Sequence, residues 1–210
     1  MRELLYDPGK NEQAWDAYNA LCERYEYDFS WVEDREQLHG IETELQCIVC
    51  RWPDFFMAYV ELWQFYGMFA DEDSEITACH WLQKAVPLAE KIMLGEKGNW
   101  PDVVDWAWIE NRPVIRILLA GSLRKWEEGK PALARHTLRN ILKTNPNDNP
   151  GVRFLILAIN EGISYKGYKR QFEKKNGTLK PQIFTWFEEN YKKYPEEFAL
   201  YEKATAEMMQ

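Results

Sequence analysis

Apolar residues recur at intervals of three and four along most of the chain. Ile41, Leu45 and Val49, for example, fall on one face of an α-helix at this spacing. The same pattern predicts helices near 11–26, 35–51, 54–69, 75–94, 114–128, 130–144, 150–162, 164–175, 181–193 and 195–209. No stretch alternates between apolar and polar residues clearly enough to indicate a strand. The pattern therefore predicts an all-α protein.

Prolines refine these boundaries. Pro87 lies inside a predicted helix, where it removes one backbone hydrogen bond. A further short helix is predicted after Pro101, because proline is well tolerated in a first helical turn. This helix should end near Asn111, since Pro113 disfavours helical geometry at Arg112.

The predicted helices occur in pairs, and a Pro-Asp or Pro-Asn dipeptide follows each of three pairs. These dipeptides begin at residues 53, 101 and 146, in steps of 48 and 45 residues. A single helical hairpin cannot bury its apolar face alone, so such a period indicates hairpins that stack on one another. We predict a repeat domain over 1–163 with units 11–54, 55–101 and 102–148 and a following helix 150–162, then a helical extension 164–210 that packs on the last repeat through Phe184, Phe187 and Tyr201.

Residues 115–148 resemble a tetratricopeptide repeat, a 34-residue helical hairpin. The matching positions are Ala120 and Ser122 in the first helix, Gly129 at the turn, Ala134, Leu138 and Ile141 in the second helix, and Asn145 to Asp148 at the end. Lys125 departs from the pattern where the family usually has an aromatic residue, and Trp126 stands beside it. The other two units match less well because their spacing is longer. The resemblance implies an α-α superhelix of about three hairpins with a C-terminal helical cap.

The resemblance also implies a function, because members of this family generally bind proteins or peptides in a groove lined by the first helices. Its groove positions fall here on Arg112, Arg116, Leu119, Leu123, Trp126, Arg153, Leu157 and Asn160. Guanidinium groups bind carboxylates in bidentate geometry, so an acidic segment or a C-terminal carboxylate is the expected partner. Alternatively, the three arginines pair with Glu110, Asp148 or Glu161 and tie the helices together. The first functional hypothesis is thus a non-enzymatic adaptor or scaffold.

The charge distribution supplies a second hypothesis. The net charge is -8, but residues 1–100 carry 8 Lys and Arg against 20 Asp and Glu, whereas residues 101–210 carry 18 against 14. An acidic and a basic half favour self-association as a subunit of a larger complex, although uneven surface charge alone explains the same numbers. The longest purely apolar run, residues 154–159, is too short to cross a bilayer. We therefore expect a cytoplasmic protein without a membrane partner.

Two further motifs are weak evidence for a metal site or a nucleic-acid-binding site. Cys47 and Cys50 form a CxxC pair inside a predicted helix, and only Cys79 and His80 would remain as further zinc ligands, so buried structural thiols are the favoured interpretation. Six basic residues between 166 and 180 alternate with Tyr165, Tyr168 and Phe172. Three interpretations of this segment are open: it binds nucleic acid, it docks a protein partner, or it is a solvated helix face. The negative net charge of the protein disfavours nucleic acid. We predict no metal, no cofactor and no enzymatic activity.

Overall fold

The computed structural model describes residues 11–25, 35–67, 71–96 and 98–208. Within these ranges the chain forms ten α-helices: α1 (Glu12–Arg24), α2 (Arg35–Arg51), α3 (Phe56–Gly67), α4 (Glu72–Leu94), α5 (Arg112–Glu127), α6 (Pro131–Thr144), α7 (Val152–Asn160), α8 (Tyr165–Phe172), α9 (Gln182–Asn190) and α10 (Pro195–Met208). Single 3-10 turns span Ile109–Asn111 and Tyr191–Lys193. The β-type pairing in the described residues is one isolated bridge between Glu173 and Leu179. The all-α prediction is confirmed for these residues.

The predicted short helix after Pro101 is wrong. Residues 100–108 are not helical, and a single 3-10 turn follows them. Val104 explains the difference, because its backbone N–H donates to the carbonyl of Thr144 (2.8 Å) and its carbonyl accepts from Asn145 Nδ2 (3.1 Å). Both backbone groups of Val104 are thereby satisfied by the end of α6, and a helix is not needed to satisfy them.

The predicted helix break before Pro113 is also wrong. Arg112 adopts helical angles (φ -61°, ψ -41°) and is the first residue of α5. Pro113 then occupies the first turn, where its missing N–H has no helical partner to lose. Pro87 lies inside α4, as expected. That helix starts before residue 75 because the carboxylate of Asp71 accepts a hydrogen bond from the Ser74 backbone and caps it.

The chain divides into two compact units. The first unit comprises the described residues up to 99 together with 108–117, and thus contains α1 to α4 and the beginning of α5. Within it α1 packs on α2, α2 on α3, and α3 on α4. Its largest fully buried side chains are those of Leu21, Ile41, Leu45, Phe55, Phe56, Leu62, Met93 and Ile115. Helices that follow one another in sequence are therefore neighbours in space, as in helical hairpins.

The second unit comprises residues 100–107 and 118–208. Within it α6 packs on α7, α7 on α9, and α10 on α6. Aromatic rings join these helices: Phe154 of α7 meets Phe184 and Phe187 of α9 edge to face, each at 5.4 Å between ring centroids. Tyr201 of α10 lies 5.8 Å from Phe187. No helix within the described ranges combines the length and the apolar character needed to span a bilayer.

Candidate partner-binding site

Two of the predicted groove arginines, Arg112 and Arg116, belong to the first unit at the start of α5. The positive charge of Arg116 acts on Glu61 of α3, where it favours the ionised carboxylate. Burial is the larger effect and raises the pKa of Glu61, whereas the Tyr18 hydroxyl, which donates to the carboxylate at 2.9 Å, opposes the rise. Arg116 is exposed, and its positive charge stabilises the ionised form of this partly buried carboxyl group.

The third arginine, Arg153, forms an internal ion pair. Its Nη1 donates to Asp148 Oδ2 at 2.8 Å, and its side chain is 17% exposed while that of Asp148 is fully buried. The guanidinium also lies over the ring of Phe154, 4.1 Å from the centroid, and over that of Tyr201 at 5.1 Å. Arg153 therefore pairs with Asp148, as in the alternative interpretation of the sequence. A partner carboxylate could bind Arg153 only by breaking this pair.

The apolar groove residues divide into buried and accessible side chains. Leu157 has no exposed surface, and Trp126 is 4% exposed, 5.5 Å from both Tyr165 and Tyr168 of α8. Neither Leu157 nor Trp126 can line an open groove in this structure. Leu119 and Leu123 are half-buried. Leu157 is buried because it belongs to α7, whose residues Val152 and Phe154 to Ile159 are all buried. A helix that is apolar on every side is covered by its neighbours on every side.

Asn160, the last of the predicted residues, lies in a cleft of about 700 Å³ within the second unit. Residues of α6, the C-terminal end of α7 and the first turns of α10 surround it, and we call it the α6–α10 cleft. Its lining includes the cationic side chains Arg135, Arg139, Lys143 and Lys193, the carboxylates Glu196 and Glu197, and the apolar side chains Leu142, Pro195 and Leu200. The cleft thus combines an excess of positive charge with an apolar wall.

A hydrogen-bonded network fixes the polar side of the α6–α10 cleft. Arg135 Nη1 donates to Asn160 Oδ1 at 2.8 Å, and Asn160 Nδ2 donates to Glu197 Oε2 at 3.4 Å. Arg139 donates from Nε to Glu197 Oε1 at 2.6 Å and from Nη2 to Oε2, a bidentate arrangement. The hydrogen bonds with Glu197 raise the pKa of Arg139. The network therefore already holds one carboxylate on the guanidinium group of α6.

The edge of the cleft is held by the 3-10 turn that precedes α10. Lys193 Nζ donates to Glu161 Oε2 at 3.2 Å and to Asn190 Oδ1 at 2.7 Å. The Tyr194 hydroxyl donates to the carbonyl of Asn160 at 3.1 Å and to Glu161 Oε1 at 3.0 Å. The hydrogen bond to Glu161 raises the pKa of Tyr194, so its hydroxyl stays a neutral donor. Pro195 then begins α10 at a position that suits its fixed φ angle.

The residues of α6 in this cleft were not among the predicted site residues, although the sequence contains a signal for them. Arg135, Arg139 and Lys143 are spaced four residues apart and therefore share one helix face. The repeat pattern assigns the second helix to packing alone and gives no role to its polar face. The residues contributed by α10, chiefly Glu197, have no comparable signal in the sequence.

The CxxC pair is not buried as predicted. Cys47 and Cys50 are both exposed on α2, whereas Cys22 is buried and Cys79 is half-buried. In the part of the chain that the structure describes, no three His, Cys, Asp or Glu side chains come together as potential metal ligands. The two thiols lie on the outward face because Ile48 and Val49, next to them, face the core.

The basic segment of residues 166–180 has its aromatic side chains inside. Tyr168 and Phe172 are buried, so their ring faces are not available for stacking on nucleic-acid bases. Lys180 Nζ donates to the carbonyls of Arg170 and Gln171 at 2.8 and 3.1 Å, which satisfies carbonyl groups at the end of α8. The remaining cations are consistent with a solvated face or a docking surface.

Comparison of the chain with protein-family models, with curated proteins and with solved structures gives no match. The tetratricopeptide resemblance accordingly rests on residues 115–148 themselves.

Proposed function

We propose that the protein is a non-enzymatic adaptor or scaffold that holds a segment of another protein in the α6–α10 cleft. The segment presents a carboxylate to the cationic face of α6 and an apolar side chain to the exposed residues Pro195 and Leu200. The observation that carries the proposal is the cleft itself, a space of about 700 Å³ with cationic and apolar walls on adjacent helices. A site of this volume suits a few residues of a peptide.

The electrostatics favour an anionic partner. Four cationic side chains line the cleft against two carboxylates, and one of those carboxylates is already bound to Arg139. Lys143 is exposed, and Leu200, at 48% exposure, presents apolar surface beside the charges. Such complementarity raises the rate of encounter with acidic segments and selects against basic ones. Apolar contact then adds affinity that charge alone does not give.

The tetratricopeptide-like superhelix remains part of the proposal. It is supported by the element order, because the Pro-Asx dipeptides at 53–54 and 146–147 separate α2 from α3 and α6 from α7. It is also supported by Gly129, whose φ of 76° ends α5 in the left-handed conformation expected at the turn of a repeat. A cytoplasmic location, also expected from the sequence, belongs to the same proposal.

Peptide selection on immobilised protein tests the proposal. Two pools of randomised peptides of about ten residues, one with free C-termini and one amidated, are compared for binding. We expect enrichment of acidic peptides with an apolar residue near the carboxylate, and we expect the double variant Arg135→Ala/Lys143→Ala to lose it. The matched control, Lys166→Ala/Lys169→Ala, removes two cations from α8 outside the cleft and should keep it. Equal binding by both double variants would contradict the proposal.

Self-association is the second candidate function, and an exposed charge contrast favours it. Asp71, Glu72, Asp73 and Glu75 are exposed around the start of α4, and Lys166, Lys169 and Arg170 are exposed on α8. If copies associate through these charges, sedimentation velocity should show an oligomer at about 50 mM NaCl that dissociates near 500 mM, because the Debye length shortens severalfold. A monomer under both conditions would leave the adaptor as the remaining candidate.

A further inference from the structure

The position of Glu197 in the α6–α10 cleft is unusual for a glutamate in the first turn of a surface helix. Its side chain is only 9% exposed, whereas that of its partner Arg139 is 47% exposed. The carboxylate accepts two hydrogen bonds from Arg139 and one from Asn160. Glu197 is therefore folded into the cleft, and the guanidinium that holds it is accessible from outside.

The geometry at Arg139 is the one by which a guanidinium recognises a free carboxylate. Nε and one terminal nitrogen donate to the two oxygens of the same carboxylate. Arg135, on the preceding turn of α6, is oriented by its hydrogen bond to Asn160, which also donates to Glu197. The cleft thus contains a formed carboxylate position, and a side chain of the protein itself fills it.

The surroundings of this position define what else would fit there. Leu200 lies one turn further along α10 and is 48% exposed, and the exposed Pro195 lines the same cleft. A ligand that carries a carboxylate next to an apolar side chain would satisfy both features at once. The α-carboxylate of a C-terminal residue such as leucine has this chemistry.

We propose that Glu197 is an internal occupant of the carboxylate position and that the C-terminal carboxylate of a partner with an apolar last residue displaces it from Arg139. This inference rests on the proposed adaptor function and specifies the ligand class and its regulation. Because Glu197 competes intramolecularly, at a high effective concentration, simple anions bind poorly. Only a ligand that adds contact with Leu200 and Pro195 replaces it, which makes Glu197 a determinant of specificity.

Titrations followed by NMR test the proposal with a minimal probe. N-acetyl-leucinate carries one carboxylate and one apolar side chain, and N-acetyl-leucinamide is the same molecule without the charge. The Nε–H signal of Arg139 and the side-chain amide signals of Asn160 report directly on the cleft. In the wild-type protein the leucinate should shift these signals with a weak Kd, and the amide should leave them unchanged.

The variants Glu197→Gln and Glu196→Gln separate displacement from general electrostatics. Each removes one negative charge from the lining of the cleft, but only Glu197 is bound to Arg139. We expect Glu197→Gln to tighten the Kd for N-acetyl-leucinate by about fivefold to tenfold, because a charge-assisted bidentate pair no longer competes. Glu196→Gln, which changes only the surrounding field, should alter it by less than about twofold.

The outcomes distinguish the role of Glu197 from the existence of the adaptor site. If the wild-type protein binds the leucinate and the two variants change its Kd equally, Glu197 is not an internal competitor. The proposed adaptor site is then still supported. If no form binds, both the occupant and the proposed cleft fail. Should Glu197→Gln not fold, as judged by far-UV circular dichroism, Glu197→Asp takes its place. Its shorter side chain keeps the charge but weakens the contact with Arg139, so a folded Glu197→Asp protein without tighter binding also overturns the proposal.

Discussion

Asp148 and Arg153 are joined at 2.8 Å by a hydrogen bond between Oδ2 and Nη1 in the interior of the second unit. The same carboxylate accepts from the backbone N–H groups of Val152 (2.7 Å) and Arg153 (3.1 Å), and so caps α7. Asp148 adopts a left-handed conformation with φ of 51°, which a residue other than glycine rarely does. One carboxylate therefore starts a buried helix and holds the arginine that lies between three aromatic rings.

Removing one member of this pair should destabilise the protein strongly. We expect Arg153→Ala to lower the free energy of unfolding by about 3–5 kcal/mol, because the carboxylate of Asp148 is left buried without its counter-charge. Arg24→Ala, which removes an exposed ion pair with Glu44, should cost about 0–1 kcal/mol. Urea unfolding followed by circular dichroism measures both. A loss of partner binding by Arg153→Ala at unchanged stability would instead support a role of Arg153 in the groove.

Glu61 should make the stability of the protein depend on pH. Burial raises the pKa of Glu61 above its ordinary value of 4.5, so the folded state binds this proton more tightly than the unfolded chain. The resulting contribution is present at low pH and is lost as the pH rises through the folded-state pKa. The wild-type free energy of unfolding, minus that of Glu61→Gln, should therefore fall as the pH rises above 4.5.

Arg116 provides the control for this pH dependence. Its charge lowers the pKa of Glu61, so Arg116→Ala should raise that pKa further and move the loss of stability to higher pH. Urea titrations at several pH values between about 4 and 8, with the three proteins side by side, give the comparison. Parallel stability curves for the wild-type protein and Glu61→Gln would contradict the assignment to Glu61.

Two glycines should respond to alanine in opposite directions. Gly129 has φ of 76°, and an added Cβ would meet no atom within 4 Å, so Gly129→Ala should cost about 1 kcal/mol from backbone strain alone. Gly67, in the last turn of α3, also has open space around its Cβ position, and its φ lies outside the left-handed region. There alanine should raise stability by about 0.5–1 kcal/mol through lower entropy of the unfolded chain. Thermal unfolding of both variants tests the contrast, and a destabilised Gly67→Ala protein would contradict it.

Trp126 and Leu123 distinguish a core role from a groove role. Trp126 is buried against Tyr165 and Tyr168, so Trp126→Ala should cost about 3–5 kcal/mol. Leu123 is half-buried on the same helix, and Leu123→Ala should cost clearly less. Chemical denaturation measures both changes. If Trp126→Ala retained full stability, its assignment to the core would be wrong.

Most helices could be predicted because each carries a continuous apolar face that the sequence displays by itself. Ile41, Leu45 and Val49 are buried on α2 as their spacing indicates. The failures occur where distant groups decide the local conformation. Val104 stays outside a helix because Thr144 and Asn145, about forty residues away, satisfy its backbone. Local propensity contains no information about such partners.

The candidate site was predictable only in part, for the same reason. The spacing of Arg135, Arg139 and Lys143 could have indicated a cationic helix face. The partner of Arg139, however, is Glu197, which lies 58 residues away in sequence. The groove positions taken from the repeat pattern included Leu157, which is buried because α7 is covered on all its faces. A repeat pattern identifies equivalent positions on helices, but it does not indicate which of them a later helix covers.

The hydrogen bonds that join the backbone of Val104 to the end of α6 have one more consequence. Its amide proton is hydrogen-bonded to the carbonyl of Thr144, so it exchanges with deuterium only when this hydrogen bond opens. The Asn145 side chain holds the Val104 carbonyl as well, and the two segments therefore open as one cooperative event. The exchange rate of this single amide consequently measures how often the end of α6 separates from the segment around Val104 in the native ensemble.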